Sequence, residues 1–143
     1  MSIIGIDYGD KKIGVAITDE LTGDAHPLKV VPTAIGLKEL KKLIAEYGNV
    51  EKLVVGMPYN LKDEVAFKAK QVVLWIDTLK KEVQLPVETW DERFSTSEAK
   101  DILLKADVSR KKRKEVIDKM AACIILQSYL DAKKEKHQKG SGE

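Results

Sequence analysis

The sequence predicts a single α/β domain: a mixed five-stranded sheet that opens with an antiparallel β-hairpin and continues with alternating α and β segments, so that helices cover both faces. Three observations predict it. Two β-rich runs, "SIIGIDYG" and "KKIGVAITD", flank a Gly-Asp turn at the start of the chain. The later apolar strands "EKLVVGMP" and "LPVETWDER" alternate with stretches of helical periodicity. Finally, 143 residues with 43% hydrophobic content suffice for one sizeable core and no more.

The first two runs form the hairpin. "LKVVPT" is a short third strand stopped by Pro32. "GLKELKKLIAEYG" spaces Leu37, Leu40, Leu43 and Ile44 as one helical face, and Gly48 ends it. "EKLVVGMP" is a buried strand ending at Gly56-Met57-Pro58. In "KDEVAFKAKQVVLWIDTLKKEV", Val65, Lys68-Ala69, Val72-Val73 and Ile76 trace one face of a long helix. Pro86 introduces the strand "LPVETWDER". "STSEAKDILLKA" opens a helix with the Ser95–Glu98 spacing of a capping box. A basic linker follows, then the last long helix, "EVIDKMAACIILQSYLDAKKEK". The domain runs over residues 1–135, and 136–143 form a polar, disordered tail.

Bulk charge excludes little, since the formal net charge is only +2. The single cysteine, Cys123, rules out an intrachain disulfide and sits in an apolar helical stretch as a packing residue. No stretch is long and apolar enough for a membrane span, and the N-terminus lacks the pattern of a signal peptide. A soluble cytoplasmic protein is the expectation. One Cys and two His without ligand spacing argue against zinc.

Asp7 interrupts an apolar run, and burying a carboxylate is costly unless it is paired, hydrogen-bonded or bound to metal. It could cap the turn at Tyr8-Gly9-Asp10. Two further acidic positions suggest more. Asp91-Glu92 ends a predicted strand, and in a parallel sheet the carboxyl ends of strands form the edge where sites are built. Alternation sends Asp91 and Glu92 to opposite faces, so at most one shares a side with Asp7. Asp118 borders an apolar stripe expected at Ile117, Met120, Ala121 and Ile124, with the small Ala122 one turn on. It could also be a plain first-turn carboxylate favoured by the helix dipole. Three converging acids repel one another unless a cation sits between them, and oxygen-seeking Mg²⁺ or Mn²⁺ meets that need. Such ions hydrolyse phosphodiesters.

The stretches "IIGIDYGDKKIGVAITD", "VVGMP", "WDERFSTSEA" and "IDKMAACIILQSYLD" resemble, in order and over residues 3–131, the YqgF family of pre-16S rRNA nucleases, also called Holliday junction resolvases. The resemblance implies an RNase H-like fold and metal-dependent phosphodiester cleavage in a bacterial cytoplasm, with processing of the 5′ end of 16S rRNA precursor as the role. It places the family's acids on Asp7, on the Asp91-Glu92 pair and on Asp118, with Glu92 favoured as the middle acid. The stretch after Met57 is less glycine-rich than is usual in the family, and Phe94 stands where Leu is common.

The run Arg110, Lys111, Lys112, Arg113, Lys114 precedes Asp118 and attracts phosphate-rich partners, RNA by preference and structured DNA as the alternative, in a pre-ribosomal particle or outside one. Arg93 contacts a phosphate or pairs with its acidic neighbours, and Lys11 and Lys12 extend the phosphate path from the hairpin turn. Three other readings compete: a resolvase of DNA junctions, a non-catalytic binder of nucleic acid or of assembling ribosomes, and an actin-like ATPase. The last usually carries Thr or Ser after the Asp-x-Gly, where this chain has Asp10 and Lys11.

Overall fold

The computed structural model describes residues 2–57, 63–92 and 120–134. The five strands are β1 (Ser2–Asp7), β2 (Lys12–Thr18), β3 (Ala25–Pro32), β4 (Val50–Met57) and β5 (Val87–Asp91). They lie side by side in the order β3-β2-β1-β4-β5. β1 pairs antiparallel with β2 and β2 with β3, whereas β1–β4 and β4–β5 are parallel. The expected mixed sheet is the one observed. Its helices are α1 (Gly36–Tyr47), α2 (Asp63–Glu82) and α3 (residues 120–134).

Each element follows from local chemistry. The β2–β3 connection is an Asx turn, in which the Leu21 amide donates to Asp19 Oδ1 at 2.7 Å. α1 stops at Gly48, whose left-handed φ of 69° lets its amide donate to the Ile44 carbonyl. β3 begins at Ala25, earlier than the expected "LKVVPT", and so contains Pro27. It is the outermost strand, where a missing N–H does little harm, and the β2–β3 register shifts beside Pro27.

Alternation divides the side chains of β1 between two cores. Ile4 and Ile6 join Val15, Leu53 and Val55 beneath Leu40 and Leu43 of α1 and Val72, Ile76 and Leu79 of α2. Ile3 joins Ala16 and Val54 beneath Ala122, Ile125, Leu126 and Tyr129 of α3. Helices therefore cover both faces.

Two expected helical faces need correction. On α2 the buried side is Val72, Ile76 and Leu79, continued by Val83 just past its end, while Val73 is 47% exposed. Each residue advances a helix by about 100°, and that step carries Val73 off the inner face. On α3 the residues of the core against the sheet are Ala122, Cys123, Ile125, Leu126 and Tyr129, with Met120 packed beside them, while Ala121 and Ile124 of the expected stripe are not among them. From Met120 to Leu126 every residue is apolar, so periodicity offers no preferred side. The sheet selects one through Gly5. An added Cβ at Gly5 would lie 2.6 Å from the Leu126 Cβ and 3.2 Å from the Ala122 carbonyl oxygen, so α3 rests directly on β1 there. Ile117, the helix expected from Ser95 and the tail at 136–143 lie outside the described residues.

Candidate active site

Asp7, Asp91 and Glu92 all lie at the edge formed by the carboxyl ends of β1, β4 and β5. Asp7 ends β1 opposite Gly14 of β2, and the β1–β4 register that pairs Ile6 with Val55 runs on to set Asp7 beside Gly56. Gly56 in turn pairs with Trp90 of β5, and Met57 with Asp91. Residues in one cross-strand row share a face. Asp7, Gly56 and Trp90 therefore face α3, and Glu92, two residues beyond Trp90, returns to that side. Asp91 shares a row with Met57, a residue of the core under α1 and α2.

Glu92 also leans inward. An added Cβ at Gly56 would lie 3.1 Å from Glu92 Oε1 and 3.2 Å from its Cγ. The carboxylate of a β5 residue thus lies over the backbone of β4, one strand from β1. Tyr8, next to Asp7, packs on Trp75 of α2 with ring centroids 5.0 Å apart. That contact pins the end of β1 on one face and leaves Asp7, half-buried, on the other.

A polar cluster farther down the α3 face joins the helix to β4 and β5. Lys52 Nζ donates to Tyr129 Oη at 3.1 Å, and the Tyr129 hydroxyl donates to Glu88. Lys52 and Glu88 form an ion pair at 3.7 Å. The Tyr129 hydrogen bond holds the Glu88 carboxyl below its usual range. The same hydroxyl, with Glu88 and Glu51 nearby, raises Lys52. Burial and then Glu88 push the Tyr129 phenol upward. Trp90 meets Tyr129 edge-on at 5.6 Å and donates Nε1–H to Ser128 Oγ at 3.0 Å. Trp90 therefore packs on the face that Glu92 shares, not on the opposite one, and is occupied with α3. Cys123 is buried against the Ala25 carbonyl, and burial raises its thiol.

Lys11 and Lys12 are exposed in the β1–β2 turn at the edge where Asp7 lies. Thr33 ties that turn down, its amide donating to the Lys11 carbonyl at 2.9 Å and its hydroxyl to the Gly9 carbonyl at 2.7 Å. Asp118, Arg93 and the run Arg110, Lys111, Lys112, Arg113, Lys114 lie outside the described residues. Among the described residues no three of His, Cys, Asp and Glu are grouped for a metal ion. The donors the described part brings to this edge are carboxylate oxygens over a bare glycine backbone, a set that suits Mg²⁺ or Mn²⁺ and not a soft metal. No described helix is long and apolar enough to cross a membrane.

Reading the sequence for charged groups passed over Gly5 and Gly56. The available signal was a glycine inside an apolar strand, which marks close approach of another group. It also passed over the Tyr129–Lys52–Glu88 cluster, whose members are far apart in sequence.

Comparison with known proteins bears on the family and the fold. The profile of the family described as "RuvX: Holliday junction resolvase" matches residues 1–132. A protein of Desulforamulus reducens named "Putative pre-16S rRNA nuclease" is 47% identical over 135 residues, which is 92% of this chain and 98% of that one. Proteins of the same name from Halothermothrix orenii and Listeria monocytogenes are 47% and 46% identical, covering 96% and 92% of this chain and 99% and 98% of their own. Among solved structures, Thermus thermophilus RuvC in complex with a Holliday junction substrate superposes with a TM-score of 0.56 at 16% identity, over 92% of this chain and 96% of RuvC. The fowlpox virus Holliday junction resolvase superposes with a TM-score of 0.52 at 13% identity, over 92% of this chain and 99% of the viral one. The architecture is thus that of RuvC-like, RNase H-fold proteins.

Proposed function

The chain belongs to the RuvX family of Holliday junction resolvases, and on that premise we propose that it is a divalent-metal-dependent nuclease that processes 16S rRNA precursor in the cytoplasm, with Asp7, Glu92 and Asp118 as its metal ligands. One observation carries the reading: Glu92 reaches back over Gly56, toward the row that Asp7 occupies on β1. Asp91 faces the other core and takes no part.

Asp118, four residues before Ala122 in the sequence, joins this set as the acid that the family resemblance places there. A Mg²⁺ or Mn²⁺ ion held by these carboxylates would offset their charge and would supply the activation of water against a phosphodiester. The acids hold and orient the cation. Lys11 and Lys12 beside them, and Arg93 with the 110–114 run, bind backbone phosphates on either side of the cut. No side chain needs to act as nucleophile.

A second reading keeps the chemistry and exchanges the substrate for a four-way DNA junction. The RuvC-like architecture favours it. One experiment tests both. Purified protein and the Asp7→Asn variant are incubated with labelled precursor RNA and with four-way DNA junctions in Mg²⁺, Mn²⁺ or EDTA. RNA is cleaved by the wild type with metal and by neither protein in EDTA, and Asp7→Asn is inactive. Equal cleavage by both proteins overturns the assignment of Asp7, and cleavage of junctions alone transfers the function to DNA.

A further inference from the structure

We propose that Gly56 is a positioning residue for the acidic site: by carrying no side chain it lets Glu92 of β5 cross β4 and serve the same cation as Asp7 of β1. The inference rests on the metal-dependent reading above.

The geometry sets a problem that a glycine solves. Neighbouring strands stand about 4.8 Å apart, so β1 and β5, separated by β4, are about 9.6 Å apart. Two carboxylates rising straight from those strands would be too distant to share one small ion whose ligand bonds are about 2.1 Å long. Glu92 has the longer acidic side chain and lies beyond the row of Trp90, so it can turn back. It does so over Gly56, with Oε1 3.1 Å and Cγ 3.2 Å from where a Cβ would stand. Both separations are tighter than ordinary contact between nonbonded carbon and oxygen atoms. On the other side Ile125 Cδ1 of α3 would be 2.5 Å from the same Cβ. Glu92 and Ile125 thus divide the space above one glycine.

A side chain at position 56 disturbs both neighbours, but unequally. Ile125 meets it with the free end of a flexible chain and can rotate away. The Glu92 carboxylate has to give by only a few tenths of an ångström, a shift that matters because ligand bonds of about 2.1 Å fix where its oxygens must stand. Packing and ligand geometry therefore separate experimentally. In Gly56→Ala the melting temperature without metal falls. Adding Ile125→Val, which removes the Cδ1 atom, restores most of it. Mn²⁺ affinity responds differently: it drops on the order of tenfold in Gly56→Ala, the size of effect seen when a ligand loses its support, and Ile125→Val does not restore it.

The experiment is calorimetric titration with Mn²⁺, paired with thermal unfolding in EDTA, on wild type, Asp7→Asn, Gly56→Ala, Gly56→Ala/Ile125→Val, Glu92→Gln and Gly56→Ala/Glu92→Gln. The proposal expects the glycine substitution to cost affinity only while Glu92 is present, so the last two proteins bind alike. Unchanged Mn²⁺ affinity in Gly56→Ala overturns it, as does recovery of affinity by Ile125→Val. Failure of the underlying reading has a different signature: wild type and Asp7→Asn then bind Mn²⁺ equally weakly.

Discussion

Replacing Gly5 by alanine tests whether the seating of α3 on β1 governs the site. The new Cβ would stand 2.6 Å from the Leu126 Cβ, where carbon atoms ordinarily approach to about 3.5–4.0 Å. Leu126 must retreat by roughly 1 Å. Its Cβ is the root of the side chain, so no rotation relieves the contact and the helix backbone has to move. Two effects oppose. Loss of glycine's freedom in the unfolded chain stabilises by about 0.4–1 kcal/mol. Overpacking costs about 1–3 kcal/mol. The second wins, and for a domain of this size it lowers the melting temperature by about 3–10 °C. Function suffers more, since a shift of about 1 Å in a catalytic group can cost about 100-fold, and α3 packs on the face of β1 from which Asp7 extends. The assay is Mg²⁺-dependent turnover at a temperature well below the variant's melting point, alongside thermal unfolding by circular dichroism. A variant within 1 °C and twofold of wild type would refute the reasoning. So would rescue of Gly5→Ala by Leu126→Ala, because that change keeps the offending Cβ.

Further substitutions probe the rest of the molecule. Asp7→Asn raises the melting temperature in EDTA by a few degrees, because it removes repulsion among acids; a marked fall would assign Asp7 to capping the turn. Glu92→Gln abolishes metal-dependent cleavage, whereas Asp91→Asn leaves at least a tenth of it, as turnover measured side by side will register. Tyr129→Phe costs about 1 kcal/mol in urea unfolding at neutral pH. The same variant flattens the pH profile at both ends. Glu88 is held below its ordinary 4.5, so its contribution is present above that pH and fades as pH falls below it. Lys52 and Tyr129 are raised above their ordinary 10.5 and 10.0, so theirs is present below those values and is lost as pH climbs past them. Equal slopes for wild type and Tyr129→Phe would dismiss the cluster as a source of pH dependence. Changing Arg110, Lys111, Lys112, Arg113 and Lys114 to Ser lowers the slope of log affinity against log salt for single-stranded RNA by up to about 3.5, and an unaltered slope would separate the run from RNA binding.

Local chemistry made much of this architecture legible. The hairpin followed from two β-rich runs and a turn, α1 from its leucine spacing and Gly48, and β4 from an unbroken apolar run. The misreadings share a cause. The expected third strand began only at Leu28, after Pro27, because nothing near it says that β3 is an outer strand. Met120 to Leu126 is apolar throughout, so only the distant Gly5 selects the inward side. The choice between Asp91 and Glu92 depends on register: alternation separates them at once, but only the pairing of Gly56 with Trp90 shows which lies with Asp7. Gly56 itself was read as the end of a strand, and its importance emerges only when Glu92 arrives from another one.

The bond between the Ala25 amide and the Gln127 side chain spans 102 residues. Synthesis at about 5–20 residues per second leaves an interval of roughly 5–20 s between those two partners. During it β1 and β2 can already be joined, yet the layer that overlies Asp7 has not been made. A product truncated before Gln127 therefore leaves Ile3, Ala16 and Val54 without the helix that buries them, a bare apolar face for other chains to find.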